Sequence, residues 1–362
     1  RRTSVLMRDL GKKGTGEFPV LIDEQGEVSV GSYAIGRLQG FAFEVDPGAR
    51  HADRKMLLAT AERRLSGEYE KRAAALVADT DQHFAVRADP GEPIAILWRG
   101  HEVARLGRGR NLLSPRILLD RRIDSVSQRG RDAVIERLQG WIRHQVERSL
   151  AALRSAGAAA QNPAMPAPVR SVLAMLVDEG GIVARDKVAE PLAALDREQR
   201  RLVTALGVRI GALDLFMPAA LKPEAMRWRS LLRAAASGEP MPELPPPASV
   251  VLPAPSDPVK APLARLGFRA AGPQMIRVDM AERLARHAHE VRAGKEGEAV
   301  DQALVTSLGL RPEAVARLMR DIGFRPDGEA SGWVWHGRGR RRPSPEQGGS
   351  PAFAALAGLK RG

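Results

Sequence analysis

The sequence predicts an α-rich mixed α/β fold: helical segments, a small antiparallel β-sheet and a C-terminal winged-helix-like module. Three stretches carry this expectation. Between Arg129 and Arg154, the residues Ile135, Leu138, Ile142, Val146, Leu150 and Leu153 recur with the period of one helix face. Between His83 and Asp120, four short apolar runs are separated by Asp89-Pro90-Gly91, Arg99-Gly100 and Gly107 to Gly109, the punctuation of strands. Between Val300 and Arg342 the order is helix, turn, helix, Gly-Phe-Arg, a Gly-rich bend, Trp333-Val334-Trp335 and an arginine run, which is the order of a winged helix with a basic trailing edge.

The elements follow along the chain. Residues 1–50 read as a β-containing N-terminal segment, with short strands at Val20-Leu21-Ile22, Val28-Ser29-Val30 and Gly40 to Val45. Residues 51–154 read as a helix, the small antiparallel sheet (or part of a small barrel) and the long helix. The first helix covers Ala52 to Ala78 and is weakened at Gly67. Ser155 to Pro168 is small and uncharged and reads as a linker or long loop. A helical subdomain over 169–236 follows. Its first helix ends at Gly180-Gly181. Its second starts at the capping box Asp196-Arg197-Glu198-Gln199 and stops at Gly207, and its last is opened by Pro223. The proline density of 237–258 predicts an extended connector. Residues 259–336 form the winged-helix-like module, beginning with a helix that ends at Leu266-Gly267. Residues 337–362 read as a disordered basic tail.

One short pattern recurs at Leu206-Gly207-Val208-Arg209, Leu266-Gly267-Phe268-Arg269 and Ile322-Gly323-Phe324-Arg325. A helix ends, glycine takes the left-handed position, and an apolar residue re-enters the core.

Composition narrows the function classes. The 362 residues include 56 Lys and Arg against 43 Asp and Glu, a formal net charge of +13. Such a balance points to a polyanion, with nucleic acid first and an anionic membrane surface second. Cysteine is absent, which excludes disulfides, thiolate nucleophiles and Cys-based zinc sites and fits a reducing, cytoplasmic setting. No apolar run is long enough to span a bilayer, so no membrane partner is expected. Arg1-Arg2-Thr3-Ser4 lacks an initiating Met and reads as a start inside a longer protein, or as a trimmed one.

Catalytic motifs are not found. Gly11-Lys12-Lys13-Gly14-Thr15-Gly16 has the composition of a phosphate-binding loop but not its spacing. His287 and His289 are two apart on a helix and face different sides, so no metal site is assigned. There is no Gly-x-Ser-x-Gly elbow, and no catalytic residue is nominated. Gly107-Arg108-Gly109-Arg110 is either a hairpin turn or a phosphate clamp.

The candidate nucleic-acid-binding residues lie in two places. In the C-terminal module, Arg317 and Arg320 share a side of the second helix away from its buried stripe of Val315, Leu318, Met319 and Ile322. Trp333 and Trp335 alternate on one strand face, where they can stack on bases or cap the core. Arg338, Arg340, Arg341 and Arg342 would bind phosphates without reading sequence. The second place is Lys222, Arg227 and Arg229 at the opening of a helix, where free amides favour anions. A solvated first turn with Trp228 packed inward is the alternative there.

Several strings resemble the region that follows the motor in bacterial Suv3-like superfamily 2 helicases. They are Arg37-Leu38-Gln39-Gly40-Phe41-Ala42-Phe43, Val103 to Leu106 with Leu113 to Arg116, Leu206 to Gly211, and Phe216-Met217-Pro218-Ala219-Ala220-Leu221-Lys222-Pro223. The resemblance covers most of residues 35–330, and the last string is its most specific part. It implies part of an ATP-dependent RNA or DNA helicase of the DEAD/DEAH type. The motor's own motifs have no counterpart here. The expectation is therefore an accessory region that binds single-stranded RNA or DNA, with the motor, its ATP and its Mg²⁺ in cis or trans outside this chain. A free-standing winged-helix DNA regulator and a protein-interaction adaptor are the alternatives.

Overall fold

The structure, a computed structural model, describes residues 20–23, 26–30, 33–45, 65, 67–89, 92–256, 262–327 and 332–337. It is mixed α/β, with helices and small antiparallel sheets in two compact units. The first unit takes the described residues up to 210, together with 214–249 and 262–268; the second takes 211–213, 250–256 and those from 269 onward.

The first unit begins with a four-stranded meander, β1 (Val20–Ile22), β2 (Glu27–Val30), β3 (Tyr33–Gln39) and β4 (Ala42–Val45). Strand β3 was not anticipated, because its glycine and polar residues dilute the alternation. Ile35 and Leu38 nonetheless point into the core. Helix α1 covers residues 67–78; the predicted first half of that helix, 52–64, lies outside the described residues.

A second four-stranded meander follows: β5 (Phe84–Arg87), β6 (Ala95–Trp98), β7 (His101–Asn111) and β8 (Ser114–Leu119). Strand β7 runs through Gly107 to Arg110, which corrects the turn expected there; the chain reverses instead at Leu112 and Leu113. The two-residue turn between β6 and β7 places both Arg99 (φ 49°) and Gly100 (φ 83°) in the left-handed region, as a tight hairpin of this kind demands. An arginine has no intrinsic preference for that conformation. Here its Nε donates to Asp79 at 2.8 Å.

Asp79, just past α1, also accepts from His83 Nδ1 and Trp98 Nε1 at 2.8 Å each and from the Thr80 amide at 2.9 Å. The long helix α2 (Gln128–Gln161) joins the same cluster. Its Arg137 donates to the Asp79 carbonyl and to Asp81 Oδ1, and its His144 pairs with Asp81 Oδ2 at 2.8 Å.

Helix α2 buries Val134, Leu138, Trp141, Ile142, Val146, Leu150 and Leu153, close to the predicted stripe, and is kinked at Leu150 (φ −127°, ψ 30°). It continues through Gln161, which corrects the expected linker at Ser155 to Pro168. Alanine is the strongest helix former, and Ala156 and Ala159 are buried in the core of this unit. Only residues 162–166 connect it to α3 (Ala167–Asp178).

Then come β9 (Ile182–Ala184), α4 (Ala189–Ala193), α5 (Arg197–Ala205), β10 (Arg209–Ile210), β11 (Asp214–Phe216) and α6 (Pro223–Ser237). The capping box predicted at Asp196 and Gln199 is present on α5.

Strand β12 (Val251–Pro253) pairs with β14 (Gln274–Arg277) in the second unit, and β13 (Phe268–Ala271), which belongs to that unit from Arg269 onward, completes the three-stranded sheet. The stretch 237–258 is thus more than a connector. Its Val251 and Leu252 can pair because the prolines fall outside the paired pair of residues or at the strand's end. The helix expected before Gly267 is only a 3-10 turn, Pro262–Ala264, among the described residues.

Three helices follow: α7 (Val278–Arg292), α8 (Gln302–Leu308) and α9 (Pro312–Asp321), then the hairpin β15 (Phe324–Pro326) and β16 (Trp333–Trp335). On α7, the buried Glu282 carboxylate accepts from the Ala212 and Leu213 amides. Gly211 belongs there for space: a Cβ would stand 2.2 Å from the Glu282 carboxyl carbon.

The repeated glycine pattern is also realised. Gly207, Gly267 and Gly323 have φ of 82°, 97° and 98°. The residues after them, Val208, Phe268 and Phe324, are buried.

Two outcomes are expected. Arg99, then His83, hold the Asp79 carboxyl well below the usual carboxylate range, and His144 and Arg137 lower that of Asp81. A depressed folded-state value means the stability they contribute is present above about pH 4, the unfolded value, and is lost as pH falls toward the folded one. Urea unfolding of Asp79→Asn should show a lower midpoint at pH 7 and a shallower decline below pH 4 than the parent; superimposable pH profiles would refute this. Gly211→Ala should cost about 1–3 kcal/mol, the usual range for overpacking, read by thermal denaturation.

Candidate nucleic-acid interface

The C-terminal module is built from the inside outward. Ala314, Leu318, Met319 and Ile322 bury the inner side of α9, with Val315 half-buried. Helix α8 enters through an Asp301 cap, whose carboxylate accepts from the Leu304 amide at 2.9 Å, and leaves through left-handed Gly309 (φ 62°). Leu310 is buried, and Pro312 opens α9 immediately afterwards. This connection fixes the two helices as a closely joined pair, and the hairpin follows after left-handed Gly323.

The predicted residues on this scaffold divide by environment. Arg317 is exposed and reaches Asp321 Oδ1 at 3.3 Å, a surface pair of the kind that contributes little. Arg320 is exposed, and its guanidinium makes no bond to a described residue. Trp333 packs against the module's core, whereas Trp335 is 42% exposed. The two strand positions thus do different work. The Arg292 guanidinium lies 3.9 Å from the centroid of the Trp335 ring. Arg292 was not picked out from the sequence, since it sits at the last position of α7, far from the hairpin in the chain. Arg338, Arg340, Arg341 and Arg342 lie outside the described residues, as do the 337–362 tail beyond Gly337 and the Gly11–Gly16 loop.

The other predicted cluster separates as well. Lys222 caps α6 without a side-chain hydrogen bond and is exposed, as is Arg227, whose Nη1 stands 4.0 Å from Glu224. Trp228 is packed inward, with its Nε1 on Glu224 Oε1 at 2.9 Å.

Arg229 corrects its own assignment to an anion-binding cluster with Lys222 and Arg227. It is 3% exposed. Its Nε donates to the Ala220 carbonyl at 3.1 Å and its Nη1 to the Arg265 carbonyl at 2.7 Å. Burial, then the neighbouring Arg233 charge, pushes its pKa down to about 10. Successive helix residues point about 100° apart, so Arg227 and Arg229 cannot share a face. The apolar residues of the specific string, Phe216, Met217, Ala220 and Leu221, are buried around this turn. Much of that string therefore encodes packing.

Among the described residues, no group of three or more His, Asp or Glu is placed to hold a metal ion. His287 is half-buried, with its Nε2 on the Glu298 carbonyl at 3.0 Å. No described helix is long and apolar enough to cross a membrane. No family model, curated protein or solved structure matches the chain.

Arg229→Ala should destabilise the protein by about 2–4 kcal/mol, since it leaves a cavity and takes the donor from the buried Ala220 carbonyl and the part-buried Arg265 carbonyl. Any affinity for nucleic acid, measured well below the unfolding temperature, should match the parent. A specific loss of affinity without loss of stability would place Arg229 at a binding surface instead.

Proposed function

We propose that this chain is the nucleic-acid-binding accessory region of a Suv3-like superfamily 2 helicase, guiding an unwound strand for a motor that lies outside it. Four sequence strings support the family, and the order of α8, α9 and the β15–β16 hairpin supports a winged-helix-like terminal module. The observation that carries the binding reading is Trp335: an exposed indole with a guanidinium against its ring. Burial normally claims a tryptophan. An exposed one beside a cation offers a π-face to a base and a charge to the adjoining phosphate, the two components of sequence-tolerant single-strand binding. The net charge of +13 supports the same partner. ATP and Mg²⁺ would belong to the motor, and RNA or DNA to this chain.

The test is fluorescence anisotropy of labelled RNA and DNA single strands at rising salt, with an ATPase assay of the same preparation. The logarithm of the association constant should fall linearly with log salt, with a slope of about 0.7 per phosphate neutralised. Trp335→Ala should lose about 1–3 kcal/mol of binding, the stacking contribution of one base. No ATP should be turned over. Absent or salt-independent binding removes the proposal. A sharp duplex motif in random-site selection would favour the free-standing regulator.

A further inference from the structure

The first unit holds a groove of about 980 Å³ between the β7–β8 hairpin, α2 and α3. Its floor is apolar, formed by residues such as Ile117, Ile142 and Val146. Its margin is basic: Arg108, Arg110 and Arg116 come from the hairpin and Arg143 from the helix. All four are exposed, and none makes a side-chain hydrogen bond or ion pair with a described residue. This distinguishes them from their neighbours. Arg105 is held by Glu102, Arg137 by Asp81, and Arg154, which also lines the groove, by Glu147. The one carboxylate in the lining is Asp178.

The hairpin is shaped to present these side chains. The β7–β8 register is regular to Gly107↔Arg116 and irregular between Gly107 and Asn111. Gly109 allows the two strands to close there, since a Cβ would stand 1.8 Å from the Ser114 carbonyl oxygen. In Gly107-Arg108-Gly109-Arg110, closely packed glycines (Gly107 against the Leu118 side chain, Gly109 against the Ser114 backbone) thus alternate with exposed arginines. On the other wall, Gln139, Arg143, Val146, Arg154, Gly157 and Gln161 fall at helical spacing along α2. At 1.5 Å per residue they span about 33 Å.

We propose that this groove binds the sugar–phosphate backbone of single-stranded nucleic acid. A concavity lined by charges of one sign focuses the field and concentrates the opposite charge. Arginine's planar fork suits phosphate oxygens in particular. The apolar floor selects the single strand. A duplex keeps its bases paired inward and would leave that floor wet, whereas an unpaired strand can turn base faces onto it. The lining has no aromatic ring, so contact along the backbone, not stacking, sets the affinity. The inference rests on the functional reading for the class of ligand alone; its residues belong to the other unit.

The experiment uses the whole chain and a fluorescein-labelled fifteen-nucleotide oligouridylate, with the quadruple variant Arg108→Gln, Arg110→Gln, Arg116→Gln and Arg143→Gln. Affinity should fall at least tenfold. The salt slope should shrink by about 3, from four phosphate contacts at about 0.7 each. The thermal midpoint should hold, since these side chains bond to no described residue. Independently of any variant's folding, a 4-thiouridine strand should photo-crosslink the unaltered chain within residues 107–117 or 139–161.

Unchanged affinity and slope in the quadruple variant, or crosslinks confined to other residues, would overturn the groove. So would a duplex bound as tightly as the strand, or displacement of the strand by polyglutamate as effectively as by unlabelled oligouridylate, which would mark an acidic protein partner. If the groove variant loses binding while Trp335→Ala does not, the groove stands and the terminal-module reading fails. The reverse pattern overturns the groove alone.

Discussion

Asp79 is the contact through which the first unit's elements are tied at one point. A carboxylate at the end of α1 collects donors from the turn that follows it, from Trp98 on β6 and from Arg99 in the hairpin turn. Its backbone carbonyl, with the Asp81 carboxylate beside it, anchors Arg137 on α2. Helix, sheet and long helix are thereby set in one register by a charge-assisted network, the strong kind of hydrogen bond. The left-handed arginine belongs to the same arrangement: the conformation that closes the hairpin also brings its guanidinium onto Asp79. From that anchor, β7 and β8 extend to the irregular end near Gly109, and α2 runs alongside them. The groove is a consequence of where those two elements are fastened.

A second constraint is glycine as punctuation. At Gly207, Gly267 and Gly323 a turn of helix gives way to extended chain through a positive φ, and the next residue is buried. The same local solution appears in both units and before strands of three different sheets. It encodes no ligand. In the string Leu206 to Gly211, the left-handed glycine, the buried valine and the glycine without room for a Cβ are each required by the fold.

The arginines are best sorted by what already holds them. Some are consumed by structure: Arg137 bridges two acidic residues, Arg200 caps the Leu192 and Leu195 carbonyls, and Arg229 sits inside on carbonyls. Others are balanced by a surface carboxylate, as Arg317 is by Asp321. A third set is exposed with no described partner, and Arg320, Arg108, Arg110, Arg116 and Arg143 belong to it. Formal net charge counts all three sets alike. Only the last has its full hydrogen-bonding capacity left for a polyanion.

Much of the architecture was readable in the chain by itself, because it depends on interactions between near neighbours. The stripe along α2, the capping box at Asp196, the existence of strands β5–β8 and the left-handed glycines at Gly207, Gly267 and Gly323 all follow from local periodicity and backbone preference. Tertiary structure decided the rest. It extended α2 to Gln161, since buried alanines are indistinguishable in sequence from linker alanines. It drew Val251–Pro253 into a sheet whose partner strand lies more than twenty residues on. It also separated Trp333 from Trp335 and Arg229 from Arg227, pairs that sequence alone treats as equals. Burial and charge pairing are set by residues distant in the chain, so which arginine is spent on the fold and which is left for a ligand could be seen only once the chain was folded.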